Sequence, residues 1–297
     1  MIDILRKLLP FWFRNFIYIR KQRLEFFGYK KKIVRYYRDH PDMVKDDSMR
    51  EAIAFLGKNT FSSLPYPFSK SHAEKEVAVL LDKERDLYYG FLDGKRLYFR
   101  RGLEVQKIRR QLNCLMLEQD PDSAHRYLTD DFTVNDGDVV IDAGAAEGNF
   151  SLSVIEKAGK VILIETSPAW LEALEATFEP WKEKVSVINK FVSNHNSDTT
   201  ITIDRILDQE GPVDFIKIDV DGEEENLLAA SSRLLASPGA PKIALCTYHK
   251  DGDPEKFEAL LKSNGFSTVF SQGYMIFISQ RGLEFPYLRK TILRAWK

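Results

Sequence analysis

The run Val139-Val-Ile-Asp-Ala-Gly-Ala-Ala-Glu-Gly-Asn-Phe-Ser151 constrains this chain more than any other segment. Five residues rich in β-branched side chains predict a buried strand, Gly144 loosens the turn after it, and Gly148 stands where a helix begins. A strand delivered through glycine into a helix N-terminus makes a nucleotide-type pocket. The two glycines do not fit the G-x-G-x-x-G phosphate fingerprint, and Glu147 puts a negative charge where a pyrophosphate would have to lie. The pocket is therefore expected to prefer a ligand without phosphates.

After this run, strand-like and helix-like segments alternate. Val139–Ala143, Val161–Glu165, Val185–Val192, Phe215–Val220 and Ile243–Tyr248 are expected as strands. Phe150–Ala158, Ala169–Phe178, Leu227–Leu235 and Phe257–Asn264 are expected as helices. Such alternation predicts a doubly wound, mostly parallel α/β sheet of the Rossmann-like kind, with helices on both faces. Phe150, Val154, Ile155 and Ala158 recur at helical spacing, as do Leu227, Leu228, Leu234 and Leu235, and both stripes are expected in the core. Ser267–Phe270 and Tyr274–Ile278 flank Gly273 as an expected terminal hairpin.

Ligands of open α/β sheets sit beyond the carboxyl ends of the strands, so functional groups are expected at those ends. They carry Asp142 and Gly144, then Glu165, then Val192 and Ser193, then Asp219 and Asp221, and finally Tyr248 and His249. Acids or an imidazole at four of five ends exceed what solubility requires. Glu165 lies 21 residues beyond Gly144, where an acid commonly accepts the ribose hydroxyls of a bound nucleoside. An adenosyl compound with a positive sulfonium, S-adenosylmethionine, meets the geometry and the charge together. The expected cofactor-binding set is Asp142, Gly144, Ala145, Glu147, Gly148, Asn149, Phe150, Glu165, Thr166, Val192, Ser193 and Asp219. His249 is the first candidate for a catalytic base, because an unperturbed imidazole titrates near neutrality, and Asp219 is the rival. Asp219, Asp221 and Glu223 crowd three carboxylates into five residues. They could hold Mg or Mn, or could simply favour the start of the helix after Gly222.

With 297 residues, 44% hydrophobic and 29% charged, the chain can bury one substantial core plus an appendage. The net charge of −1 hides an asymmetry, since residues 1–38 hold 11 Lys or Arg against Asp3 and Glu25. There Leu8, Leu9, Phe11, Trp12, Phe13, Phe16, Ile17 and Tyr18 interleave with the bases, and Pro10 interrupts the pattern. A helix docked on its own domain or on a second subunit is one reading, and peripheral membrane contact is the other. The bases are confined to this stretch and the sheet region is acidic, so nucleic acid is not an expected partner. Cys114 and Cys246 have no metal-type spacing, and no signal peptide or membrane span is read, so a cytoplasmic and potentially membrane-peripheral location is expected. The expected organisation is a basic helical extension over 1–85, with a helix near Ser48–Leu56. A segment over 86–135 follows, with a hairpin turning at Asp93-Gly94, then the main domain over 136–280 and a basic tail over 281–297.

Three runs resemble the FkbM-type methyltransferases: Asp142-Ala-Gly-Ala-Ala-Glu-Gly-Asn-Phe150, Thr202-Ile-Asp204 and Ile216-Lys-Ile-Asp-Val-Asp-Gly-Glu223. Glu118-Gln-Asp-Pro121 and His125-Arg-Tyr127 resemble a feature of bacterial members. The resemblance spans roughly 138–277 and departs where Asp221 stands in place of the more common glutamate. It implies a seven-stranded class I methyltransferase sheet and adenosylmethionine-dependent O-methylation of a sugar, surface polysaccharide or secondary metabolite. The acceptor would then be a small molecule or glycan. A nicotinamide-dependent oxidoreductase and a non-catalytic scaffold of the same fold are the alternatives, and the oligomeric state is left open.

Overall fold

The computed structural model describes residues 11–73 and 75–297. Leu8, Leu9 and Pro10, at the start of the basic segment, lie outside the described residues. The first described element is a long helix, α1 (Phe11–Asp39), followed by α2 (Asp47–Lys58). Asp46 caps α2 by accepting the Met49 N–H at 2.9 Å. Ile33 and Tyr37 of α1 are buried with Met49, Ala52 and Leu56 of α2 and with Tyr274, Ile276, Tyr287 and Leu288. The C-terminal half of α1 is thus docked on its own chain.

After the short α3 (Ser69–Ala73) comes a small antiparallel sheet of β1 (Leu80–Asp82), β2 (Leu87–Leu92) and β3 (Lys95–Tyr98). Its β2–β3 turn has Asp93 and Gly94 at φ +49° and +76°, the mirror-image turn that suits twisted strands. Helix α4 (Val105–Glu118) leads from the hairpin into the loop before the main sheet.

That sheet starts with β4 (Val139–Ala143), on one side of which lie β5 (Lys160–Ile164) and then β6 (Val185–Ile188). A separate short pair, β7 (Phe191–Val192) with β8 (Thr200–Ile201), follows β6. Then come β9 (Phe215–Ile218), β10 (Lys242–Cys246) and β11 (Ser267–Phe270), a two-residue pair β12 (Ile278–Ser279) with β13 (Gly282–Leu283), and β14 (Ile292–Trp296). The spatial order of the large sheet is β11-β14-β10-β9-β4-β5-β6, with only β14 antiparallel to its neighbours. Numbered along the chain, its strands run 3-2-1-4-5-7-6. The protein therefore has the Rossmann-like class I methyltransferase fold.

Side chains alternate through the sheet into two cores. Val140, Val161, Leu163, Phe215, Ala244 and Cys246 join one, while Ile141, Ile162, Ile164, Ile216, Ile218 and Leu245 join the other. Strands covered on both faces are hydrophobic throughout, which explains their continuous apolar sequences. Both helical stripes, Phe150 to Ala158 and Leu227 to Leu235, are buried as expected. Two expectations fail. The partner of Ser267–Phe270 is not Tyr274–Ile278 but Ile292–Trp296, so the segment expected as a basic tail supplies a strand inside the sheet. The reason is visible in its burial: Ile292, Leu293 and Ala295 are fully enclosed, and Arg294 among them donates to the carbonyls of Tyr127 and Arg126 at 2.9 and 2.6 Å. The third strand also ends earlier than expected, at Ile188, which leaves Val192 in the separate pair.

Lys217, in the middle of β9, is buried and lies 3.0 Å from Asp142 of β4. Burial alone would push the ammonium toward neutrality, but Asp142 and Asp219 outweigh it and hold the lysine charged. The other Asp142 oxygen accepts the Ser151 hydroxyl at 2.8 Å. Removing one member of such a pair strands the other in a low dielectric. Lys217→Met is expected to destabilise the fold by about 3–5 kcal/mol in urea unfolding, with partial recovery on adding Asp142→Asn. A loss below about 1 kcal/mol would show that the pair is not a structural tie.

Candidate active site

The chain order of the sheet reverses between β4 and β9, so a crevice opens at their carboxyl ends. Gly144 and Asp219 form its floor. A Cβ on Gly144 would fall 1.8 Å from the Asp219 carbonyl oxygen, and its φ of +79° is one that L side chains avoid. Lys217 Nζ donates to the Gly144 carbonyl at 2.6 Å, which fixes the turn from below. Gly148 has the same φ, and there a Cβ would meet Leu174 and Phe178. Its role is close helix packing.

Glu165, at the end of β5, accepts the Ala146 N–H at 2.8 Å and the Ser167 N–H at 2.6 Å, one on each oxygen. Each oxygen keeps a lone pair for a further donor. Glu147 is buried and accepts from the Gln111 side chain; burial raises its pKa.

Asp219 stands at the centre. Tyr127 and Tyr248 donate their hydroxyls to its two oxygens at 2.9 and 3.1 Å. Burial pushes its pKa up, but Lys217, His125, His249 and the Tyr127 hydrogen bond prevail and hold it at about 2. Because the Tyr248 proton goes to Asp219, His125 Nε2, 3.2 Å from the same hydroxyl, must carry its own proton and donate. Burial keeps His125 neutral, with its pKa lowered to about 4 against the pull of Asp219. Its Nδ1 is enclosed without a partner.

His249 lies with Nδ1 2.9 Å from Glu224 and Nε2 3.6 Å from Asp219. Burial opposes its charge, yet Glu224 and Asp219 overcome that and raise its pKa. It stands between acids that make it more basic than a free imidazole. The acids expected to converge on a metal do not: the Asp221 side chain is exposed, and Glu223 accepts from Asn226 at 2.6 Å. Glu224 takes the inner place instead, accepting the Val220 and Gly222 N–H groups at 3.0 and 3.3 Å. Among the described residues, Asp219, Glu224 and His249 do bring ligand-type atoms within 4.8 Å of one another.

The remaining expected residues divide. Asn149 is partly open and Thr166 is exposed, near the turn and the end of β5 respectively. Ala145 and Phe150 are buried in the core, Phe150 lying 5.5 Å edge-on to Tyr127 and 5.8 Å from Phe215. Asp142 is consumed by Lys217 and Ser151. Val192 packs in the other core, and the Ser193 N–H donates to the Ile201 carbonyl at 3.0 Å.

Glu118 went unassigned from sequence as a chemical group. It ends α4 on the face that also carries Gln111, seven residues earlier, so the helix lays a polar edge along the crevice. Burial, with the charges of Asp219 and Glu147, raises its pKa to about 8. An acid terminating the stripe of Ile108, Leu112 and Leu115 was the available signal. Gln119, the next residue, donates to the His125 carbonyl and accepts the Tyr127 N–H, both at 3.2 Å. That pair of bonds positions the His125-Arg-Tyr127 loop over Asp219.

Residues 173–268 match the family model described as "Methyltransferase FkbM domain". Among solved structures, the methyltransferase FkbM from Methylobacillus flagellatus KT is 16% identical, with 91% of this chain and 58% of that chain covered at a TM-score of 0.46. This chain thus spans well under two thirds of that protein's length. A precorrin-6y C5,15-methyltransferase from Geobacter metallireducens GS-15 is 16% identical over 66% of this chain and 91% of its own, with a TM-score of 0.39. An rRNA methylase from Streptococcus thermophilus is 16% identical over 55% and 89%, with a TM-score of 0.37. No curated protein matches significantly. The family match covers about a third of the chain, including the run ending in Asp219-Val-Asp-Gly-Glu223 and both flanks of it, so that residues 173–268 are similar to the FkbM methyltransferase domain.

Proposed function

We propose that this chain is an S-adenosylmethionine-dependent O-methyltransferase whose acceptor is a hydroxyl of a sugar, polysaccharide or secondary metabolite. The observation that carries the reading is the crevice at the β4–β9 switch point, lined by Glu118, Glu147 and Asp219 and bordered by Glu165. Its carboxyl groups attract a sulfonium and repel phosphates. Glu165 would hold the ribose hydroxyls through its free lone pairs, and Glu147 and Asp219 would face the cationic end.

When bound, the cofactor supplies an electrophilic methyl group. The acceptor oxygen forms a bond to that carbon as the sulfur–carbon bond breaks, and the hydroxyl proton must go to the protein. Asp219, held at about 2, is too weak a base, and His249 is engaged by Glu224 on one nitrogen and faces Asp219 with the other. Glu118, at about 8, has the basicity to take the proton once ionised, and a neighbouring cation favours that ionisation. A cleft of about 150 Å³ opens beside Thr247 and Lys250, on either side of Tyr248 and His249. Tyr37, Tyr274, Glu255 and Arg289 also line it, a mixture of rings and charges that suits a polyhydroxylated acceptor.

Calorimetry with adenosylmethionine, adenosylhomocysteine and NAD tests the cofactor. The two sulfur compounds are expected to bind and NAD is not; heat from NAD alone would favour the oxidoreductase reading. Glu165→Ala is expected to weaken both sulfur ligands by about tenfold or more, the loss of a charge-assisted hydrogen bond.

The titration of Glu118 gives a second outcome. Its folded pKa is raised, so the acid is protonated below about 8, and a sulfonium binds best after the proton has left. Adenosylmethionine affinity should rise between pH 6 and pH 9, at most about tenfold per unit, relative to the uncharged-sulfur adenosylhomocysteine. Glu118→Gln should flatten that difference and lower turnover on any accepted hydroxyl by about 10²-fold or more. The same affinity ratio at both pH values in the unaltered protein would remove Glu118 from the mechanism.

A further inference from the structure

Helix α1 carries a second surface that the crevice chemistry does not use. At 29 residues it is about 43 Å long. Its inner edge is held by Phe26 stacked on Phe61 at 4.9 Å and by the buried Ile33 and Tyr37. On another side Arg20, Leu24, Phe27, Lys31, Arg35 and Arg38 follow one another at steps of three and four, which places them on one stripe. Leu24 and Phe27 are 65% and 52% exposed, large apolar side chains facing water among bases. Lys31 Nζ sits 4.5 Å over the Phe27 ring. Lys30 and Lys32 stand about 100° to either side of the stripe, Lys30 donating to the Asn59 carbonyl at 2.6 Å and Lys32 lying 5.2 Å from the Tyr287 ring. Two acids temper the charge: Asp39 pairs with Arg35 and Arg38, and Glu25 accepts the Tyr29 hydroxyl.

We infer that this stripe docks the protein on an anionic lipid bilayer, with Leu24 and Phe27 entering the headgroup boundary and the flanking bases resting on the anionic headgroups. Charge complementarity chooses the occupant. A second copy would set like-charged stripes face to face, and a nucleic acid backbone offers nothing for two aliphatic and aromatic anchors between the bases. A bilayer rewards both features at once. The inference stands apart from the methyl-transfer reading.

The full chain should float with vesicles of phosphatidylcholine containing phosphatidylglycerol at least about tenfold more strongly than with phosphatidylcholine alone at about 0.05 M salt, and should release at about 0.5 M. Leu24→Asp with Phe27→Asp, and separately Lys31→Glu with Arg35→Glu, should each abolish flotation. Adenosylmethionine calorimetry and thermal melting on both variants should be unchanged, which separates this surface from the crevice and from misfolding. Absence of flotation with anionic vesicles, or flotation of the Leu24→Asp/Phe27→Asp variant at the unaltered level, would overturn the proposal. So would a dimer in light scattering that the same apolar pair controls and that does not partition to vesicles.

Discussion

The ammonium of Lys217 is the charge on which the centre of the molecule depends. It neutralises Asp142 across the β4–β9 boundary, holds the Gly144 carbonyl and lies near enough to Asp219 to keep that carboxyl ionised. These three contacts join the sheet, the turn and the crevice through one atom. Buried ion pairs are poor sources of net stability, because desolvation consumes most of their attraction. What this one supplies is position: Gly144 lies hard against the end of β9, and any shift of one strand relative to the other would separate the charges.

Around that cation, chemically similar groups are driven to different protonation states. Asp219 sits near 2 because a lysine, two histidines and a tyrosine hydroxyl face it, while Glu118 sits near 8 because burial and two other acids do. His125 is kept neutral by its enclosure, and the pKa of His249 is raised by Glu224 and Asp219 against the cost of burial. Environments that split the pKa values of like groups mark acid–base sites more securely than residue type does. The crevice therefore contains a permanent anion, a titrating acid, a neutral donor and an imidazole of raised basicity within a few side chains of one another.

The central half of this arrangement was legible in the sequence because its signals are local. The apolar run ending at Ala143, the glycine at 144 and the Asp93-Gly94 turn each specify backbone conformation from a few adjacent residues. Glu118 was hidden because its meaning depends on Asp219, about a hundred residues away, and the raised basicity of His249 because it depends on Glu224. Ile292–Trp296 was misread for the same reason. Arg294 breaks the apolar run, and only the folded chain shows the carbonyls of Arg126 and Tyr127 that satisfy it. Phe150 was assigned to a ligand on motif position alone, whereas its ring is spent on Phe215 and Tyr127.

The placement of β14 between β10 and β11 has a consequence for biogenesis. As the polypeptide leaves the ribosome, β11 emerges before the strand that separates it from β10, so neither can complete its ladder until Ile292–Trp296 has followed. Through that interval two strand edges stay unsatisfied, the state in which nascent chains are most prone to aggregate or recruit chaperones. Arg294, whose carbonyl partners belong to the loop over Asp219, then ties the late-arriving segment to that loop, so that final sheet closure and the seating of the loop coincide.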